Sequence, residues 1–187
     1  MRTYNYLVVF LMVVLTSCTN TTKQVQNNES NNWKDQLDAQ IKLLGHRNWI
    51  VVADGAYPLQ SNPGITTILS DENHVATIKT VNELIKQQKH IKPILYLDKE
   101  IDFVSENSAS GINEFRTEIN ELFGANSNKL IHEDIIKKLD EASKLFNVII
   151  IKTDFDIPYT SLFFQLDCNY WNADSEKELR LKMSENE

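Results

Sequence analysis

LLGHRNWIVVADGAYP, residues 43–58, sets the reading of the whole chain. A helical apolar pattern ends at Gly45-His46, the run WIVVA has strand length, and that run stops on Asp54-Gly55. Five consecutive apolar residues fit a strand covered on both faces, the kind that builds parallel sheets. His46 enters this strand and Asp54 leaves it. A strand advances about 3.3 Å per residue, so the two side chains stand too far apart to pair within one chain.

On the N-terminal side, Trp33, Leu37, Ile41 and Leu44 recur at helical spacing and predict an amphipathic helix over 33–44, with Gly45 placed to end it. On the C-terminal side, residues 66–69 form a weaker strand candidate. Val75, Ile78, Leu84 and Ile85 mark a second helix, followed by a strand over 93–97. Ile112, Phe115, Ile119, Leu122 and Phe123 mark a third helix, closed by Gly124. Ile135, Ile136, Leu139 and Leu145 mark a fourth, and strands follow at 148–151 and 162–166. Apolar strands alternating with amphipathic helices predict an α/β fold: a mainly parallel sheet with helices on both faces. No internal repeat is present.

The first 17 residues carry one Arg and an apolar run over 6–15 that is shorter than the roughly 20 residues of a membrane-spanning helix. They read as a secretory signal. Leu15-Thr16-Ser17-Cys18 resembles a bacterial lipobox, which implies lipidation of Cys18. With Thr19 after it, the pattern resembles lipoproteins sent to the outer membrane, facing the periplasm. Residues 18–32 are polar and Asn-rich, unable to bury enough surface to fold, and read as a tether. Residues 33–172 have the size of one domain, and 173–187 form a charged, solvated tail.

The formal net charge is -7 and no basic stripe carries aromatics, so nucleic acid is not an expected partner. If Cys18 is lipidated, Cys168 has no internal disulfide partner, and its apolar setting predicts a small core residue. There is no GxSxG elbow, no phosphate-binding glycine loop, no HExxH and no CxxC pair. Asp154 and Asp156 read as solvated turn residues, and no set of metal ligands has recognisable spacing. Of the four histidines, His74 and His90 lie in polar surroundings and are expected at the surface. His46 and His132 lie at element boundaries, where a lone histidine is more often a hydrogen-bonded structural residue than a proton carrier.

Leu44-Gly45-His46, the apolar strand, and Asp54-Gly55-Ala56-Tyr57-Pro58 together resemble the first motif of the RbsD/FucU family, the D-ribose pyranases and L-fucose mutarotases. Members carry Gly-His before the first strand, then Asp-Ala with Pro a few residues on. His132-Glu133 matches the His-Glu of the pyranases. FNVIIIKTDFDIPYTSLFFQL, residues 146–166, resembles the family's C-terminal segment. The resemblance runs from about residue 35 to 168. Where members have Tyr-x-Asn, this chain has Tyr159-Thr160-Ser161. Asn48 stands where an acidic residue often follows Gly-His, and Gln60-Ser61-Asn62 where members have a basic or His-containing loop.

The resemblance implies an RbsD-like fold, a monosaccharide substrate, ring-shaped homo-oligomers with sites at subunit contacts, and a cofactor-free isomerase. In that chemistry one group takes the proton of the anomeric hydroxyl while another protonates the ring oxygen. His46, Asp54 and His132 would carry it, with Tyr159 and Ser161 placing the sugar. A non-catalytic sugar- or partner-binding lipoprotein on the same fold is the competing reading.

Overall fold

The computed structural model describes residues 32–124 and 126–185; the calls on the leader, Cys18 and the tether up to residue 31 lie outside them. In chain order the elements are α1 (Trp33–Ile41), β1 (Trp49–Ala53), β2 (Ile65–Leu69), α2 (His74–Lys86), β3 (Ile91–Asp98), α3 (Ile112–Phe123), β4 (Ser127–Leu130), α4 (His132–Ala142), β5 (Val148–Lys152), β6 (Leu162–Cys168) and α5 (Ala173–Ser184). A 3-10 turn, Lys99–Asp102, follows β3.

The strands form one six-stranded sheet in the order β2-β5-β1-β6-β3-β4. β1, β5 and β2 pair in parallel, as do β3 and β4, while β6 runs antiparallel to both β1 and β3. This is the expected α/β class, a mixed and mostly parallel sheet. Every residue of β1 is buried, because alternate side chains enter two different cores. Ile50 and Val52 pack with Leu37 of α1, Ile78 of α2 and Phe115 of α3. Trp49, Val51 and Ala53 pack on the other face with Ile135 and Leu139 of α4.

Local chemistry fixes the helix starts. Asn32 caps α1 by accepting from the Lys34 N–H at 3.0 Å, and Asn73 caps α2 by accepting from Ala76 at 2.8 Å. Gly124, with φ at +56°, ends α3 as expected.

Several expectations are corrected. α1 stops at Ile41, and Leu44 is buried from a turn beyond it. α4 ends at Ala142, so Leu145, 81% exposed, belongs to the following turn and not to the helix face. Cys168 is only half-buried, because it closes β6 where the sheet runs out of core. Apart from these corrections, residues 173–184 form α5, capped by Asn172, and none of its residues is buried. Among the described residues no helix is long and apolar enough to cross a membrane.

Candidate functional site

The reversed direction of β6 determines what meets at each end of the sheet. Residues that precede β6 lie beside residues that follow β1 and β3, since Leu162 is in register with both Val52 and Leu97. Asp54, Asp98 and Ser161 therefore converge from three adjacent strands. The carboxyl ends of parallel strands are where ligands gather in open α/β sheets.

Asp54 is held from two sides. Its Oδ2 accepts from the Ser161 hydroxyl at 2.9 Å, and its Oδ1 accepts from the Ala56 N–H at 3.0 Å. Gly55 lets this turn pass close to the acidic loop, because its N–H donates to the Phe155 carbonyl at 2.7 Å. A Cβ at that position would lie 3.2 Å from the same oxygen. Ser161 is buried and its proton is engaged by Asp54, so it acts on the site through that carboxylate.

His132 is the first residue of α4. Ile131 at the cap position offers no side-chain acceptor, and Glu100 substitutes for one: both its carboxylate oxygens lie 3.2 Å from the His132 N–H. An anion at a helix N-terminus is favourably placed. The imidazole Nδ1 lies 3.2 Å from Oδ1 of Asp98, which is 1% exposed. An ionised carboxylate can only accept, so Nδ1 carries the proton and, in the neutral ring, Nε2 is left as an acceptor. The Tyr159 ring meets the imidazole edge-on, with centroids 5.8 Å apart.

Burial pushes the Asp98 carboxyl up to about 6, despite the opposing effect of His132. The charges of Glu100 and Asp54 push in the same direction as burial. Tyr57 is buried against α4, and burial, followed by the charges of Asp140, Asp98 and Asp54, holds its hydroxyl well above the usual phenol range. It is neutral, and its buried hydroxyl has no hydrogen-bond partner among the described residues.

Tyr159 sits in the left-handed region at φ +60°. Its neighbour Thr160 is tied down, with its hydroxyl donating to the Ile157 carbonyl at 2.6 Å and its carbonyl accepting from His74 Nε2 at 2.9 Å. His74 was expected at the surface and is 1% exposed. Its ring stacks on Phe155 at 4.8 Å, and its Nδ1 lies 2.8 Å from the Thr153 hydroxyl. Polar neighbours in sequence concealed this, since the partners that satisfy the ring lie 79 and 86 positions away. Burial lowers its pKa, outweighing the Thr160 carbonyl and the Asp54 charge. His90, also expected at the surface, is half-buried with Nε2 donating to the Leu44 carbonyl at 2.9 Å.

His46 stands at the opposite end of the sheet. Its turn is fixed by Asn48, whose side chain accepts from the Gly45 N–H at 2.7 Å, and by Arg47 at φ +75°. His46 Nδ1 lies 2.8 Å from Asp167 Oδ1, near the end of β6. Partial burial alone would raise the Asp167 carboxyl. Hydrogen bonds from the Cys168 N–H and His46, together with Lys92, outweigh it and hold the group below the usual range.

One chain thus brings together Asp54, His132, Tyr159 and Ser161, and leaves His46 apart. Asp98, Glu100, Tyr57 and His74 also belong to the constellation at the Asp54 end and were missed. Asp98 at the end of the apolar run ILYL was the one available signal, an acidic residue at a strand's carboxyl end.

No protein-family model matches the chain, and no curated protein matches it. Among solved structures it is similar to Bacillus subtilis RbsD complexed with D-ribose, at 20% identity and a TM-score of 0.50, covering 71% of this chain and 91% of that one. The fucose mutarotase of Streptococcus pneumoniae in complex with L-fucose matches at 15% identity and a TM-score of 0.47, covering 76% of this chain and 98% of that one. FucU from Bifidobacterium longum matches at 15% identity and 0.46, covering 71% and 94%. The six-stranded sheet with helices on both faces is thus an RbsD-like α/β fold.

Proposed function

We propose that this protein binds a monosaccharide and interconverts its ring forms by acid/base chemistry. The observation that carries the reading is the His132–Asp98 pair at the carboxyl end of β3, beside Asp54 and Tyr159. The ribose bound by the B. subtilis RbsD structure supports a sugar as the ligand.

In this reading the base removes the anomeric hydroxyl proton, the ring C–O bond breaks, and the ring oxygen takes a proton from an acid. The open-chain aldehyde then recloses through another hydroxyl or on the other carbonyl face. His132, with Nε2 unprotonated, is a base oriented by Asp98. Asp54, held by Ser161, accepts from sugar hydroxyls, and Tyr159 lies against His132 at the rim. His46 supplies the second proton carrier from a neighbouring copy, because the sheet separates it from Asp54 within one chain. The protein in this reading is a homo-oligomer, tethered to the membrane through Cys18.

The alternative, a binding protein without turnover, is favoured by one observation. Ser161 stands where the RbsD/FucU motif that this segment resembles has an amide, and its hydroxyl proton is already given to Asp54. Saturation-transfer NMR with D-ribose, L-fucose, D-galactose and D-glucose separates the two. Exchange between ring forms above the uncatalysed rate supports the enzyme, whereas sugar contacts without exchange support the binder. Sedimentation of the same sample tests assembly: a strictly monomeric protein that still catalyses exchange would remove the shared site.

A further inference from the structure

The His46 end of the sheet carries a cleft of its own, about 610 Å³ in volume, lined by His46, Lys92, Asp167, Trp171 and Glu176 among others. That size suits a small polar ligand. One wall is ionic: His46 binds Asp167 Oδ1, while Lys92 Nζ stands 3.8 Å from Oδ2, too far for a hydrogen bond. Asp167 Oδ2 therefore has capacity to accept from a ligand.

The other wall is aromatic. Trp171 is 44% exposed, unlike Trp33 and Trp49, which are buried. Its orientation is fixed, since Nε1–H donates to Glu176 Oε2 at 2.8 Å and Glu176 Oε1 accepts from Arg180 Nε at 2.7 Å. Asn172 caps α5 immediately after it, so the indole and its acceptor are set by one helix start. A large apolar ring held at its edge and left exposed offers a preorganised surface, with little side-chain freedom to lose on binding.

A sugar ring has the matching character, with a C–H face and a rim of hydroxyls. We propose that Trp171 is the stacking platform of a monosaccharide subsite at the His46 end, with Asp167 and Lys92 binding the sugar's hydroxyls. This rests on the ring-interconversion reading and adds a residue that determines which sugar face is presented to His46.

The test uses the full-length protein in detergent micelles, with D-ribose, L-fucose, D-galactose and D-glucose as probes. Since Trp33 and Trp49 are buried, a sugar-dependent change in tryptophan emission reports on Trp171, and it should vanish in Trp171→Phe, whose ring takes the stacking contact without the indole signal. Trp171→Ala should raise KM for ring exchange about tenfold with kcat within about twofold, the signature of lost uniform binding. Trp171→Phe should recover most of that KM and also covers the case in which the alanine variant fails to fold. Unchanged KM in both variants while the unmutated protein exchanges sugars overturns the platform and leaves the function standing, and an altered sedimentation with unchanged KM overturns it by making Trp171 an assembly contact. If the unmutated protein catalyses no exchange, the function fails. Emission then decides alone: a change with any of the four sugars that Trp171→Ala abolishes supports the subsite, and no change with any of them overturns it.

Discussion

Asp98 and His132, 34 positions apart in sequence, meet at 3.2 Å because β3 ends where α4 begins. The buried carboxylate fixes the imidazole's tautomer and has no comparable alternative partner. Asp98→Asn should lower kcat for ring exchange about 10- to 100-fold, the usual cost of removing an orienting partner. The same variant has a stability signature. In the folded protein the carboxyl titrates near 6 against an ordinary 3.8, so between those values the native state holds a proton that the unfolded chain has lost. Stability from this group falls as pH rises through that window, and the difference between the unmutated protein and Asp98→Asn should change accordingly between pH 4 and 6. Denaturant titrations of both proteins across that range check it, and parallel curves would refute the buried-carboxylate account.

His46 is exposed, with a side chain 54% accessible, and contributes little to the core. His46→Ala should therefore leave the thermal midpoint nearly unchanged while slowing ring exchange about 100-fold. Exchange equal to that of the unmutated protein would transfer the whole proton-transfer role to His132.

His74 has the opposite profile. It is buried with both ring nitrogens bonded, so His74→Ala should destabilise the domain by about 2–4 kcal/mol through lost packing and unpaired partners. Because its folded pKa is lowered below 6.5, the unfolded chain takes up a proton first on acidification. Its contribution is present above that value and is lost as pH falls below it. His74→Gln should flatten this part of the stability profile, measured by calorimetry from pH 7 to 5.

Cys18→Ser tests the anchor. The unmutated protein should fractionate with membranes and the serine variant should be recovered soluble; recovery of the variant in the membrane fraction would overturn lipidation as the anchor.

How much of this was legible depended on whether the deciding contacts were local. β1 and β5 could be read because a strand covered on both faces needs apolar residues throughout, and WIVVA and VIII satisfy that in any context. β4 could not be read, because SNKL is a short polar edge strand specified by pairing with β3 rather than by its own pattern. His46, Asp54, His132 and Tyr159 were singled out by motif order. Asp98 and His74 were not, because each is defined by partners in distant segments: His132 for one, Thr153 and Thr160 for the other. A buried polar residue becomes visible only when its partners are known.

β6 links the two ends of the molecule as a ruler of fixed length. Ser161 just before it sets Asp54, and Asp167 near its end sets His46, about 20 Å along the strand. Its register is locked by Leu162, Phe163 and Phe164, all fully buried between β1 and β3. A one-residue slip would reverse these side chains and displace both ends together. In an assembly whose neighbouring copies shared a site, this strand would set the repeat distance, and the separation between successive sites would be written into the length of one central strand.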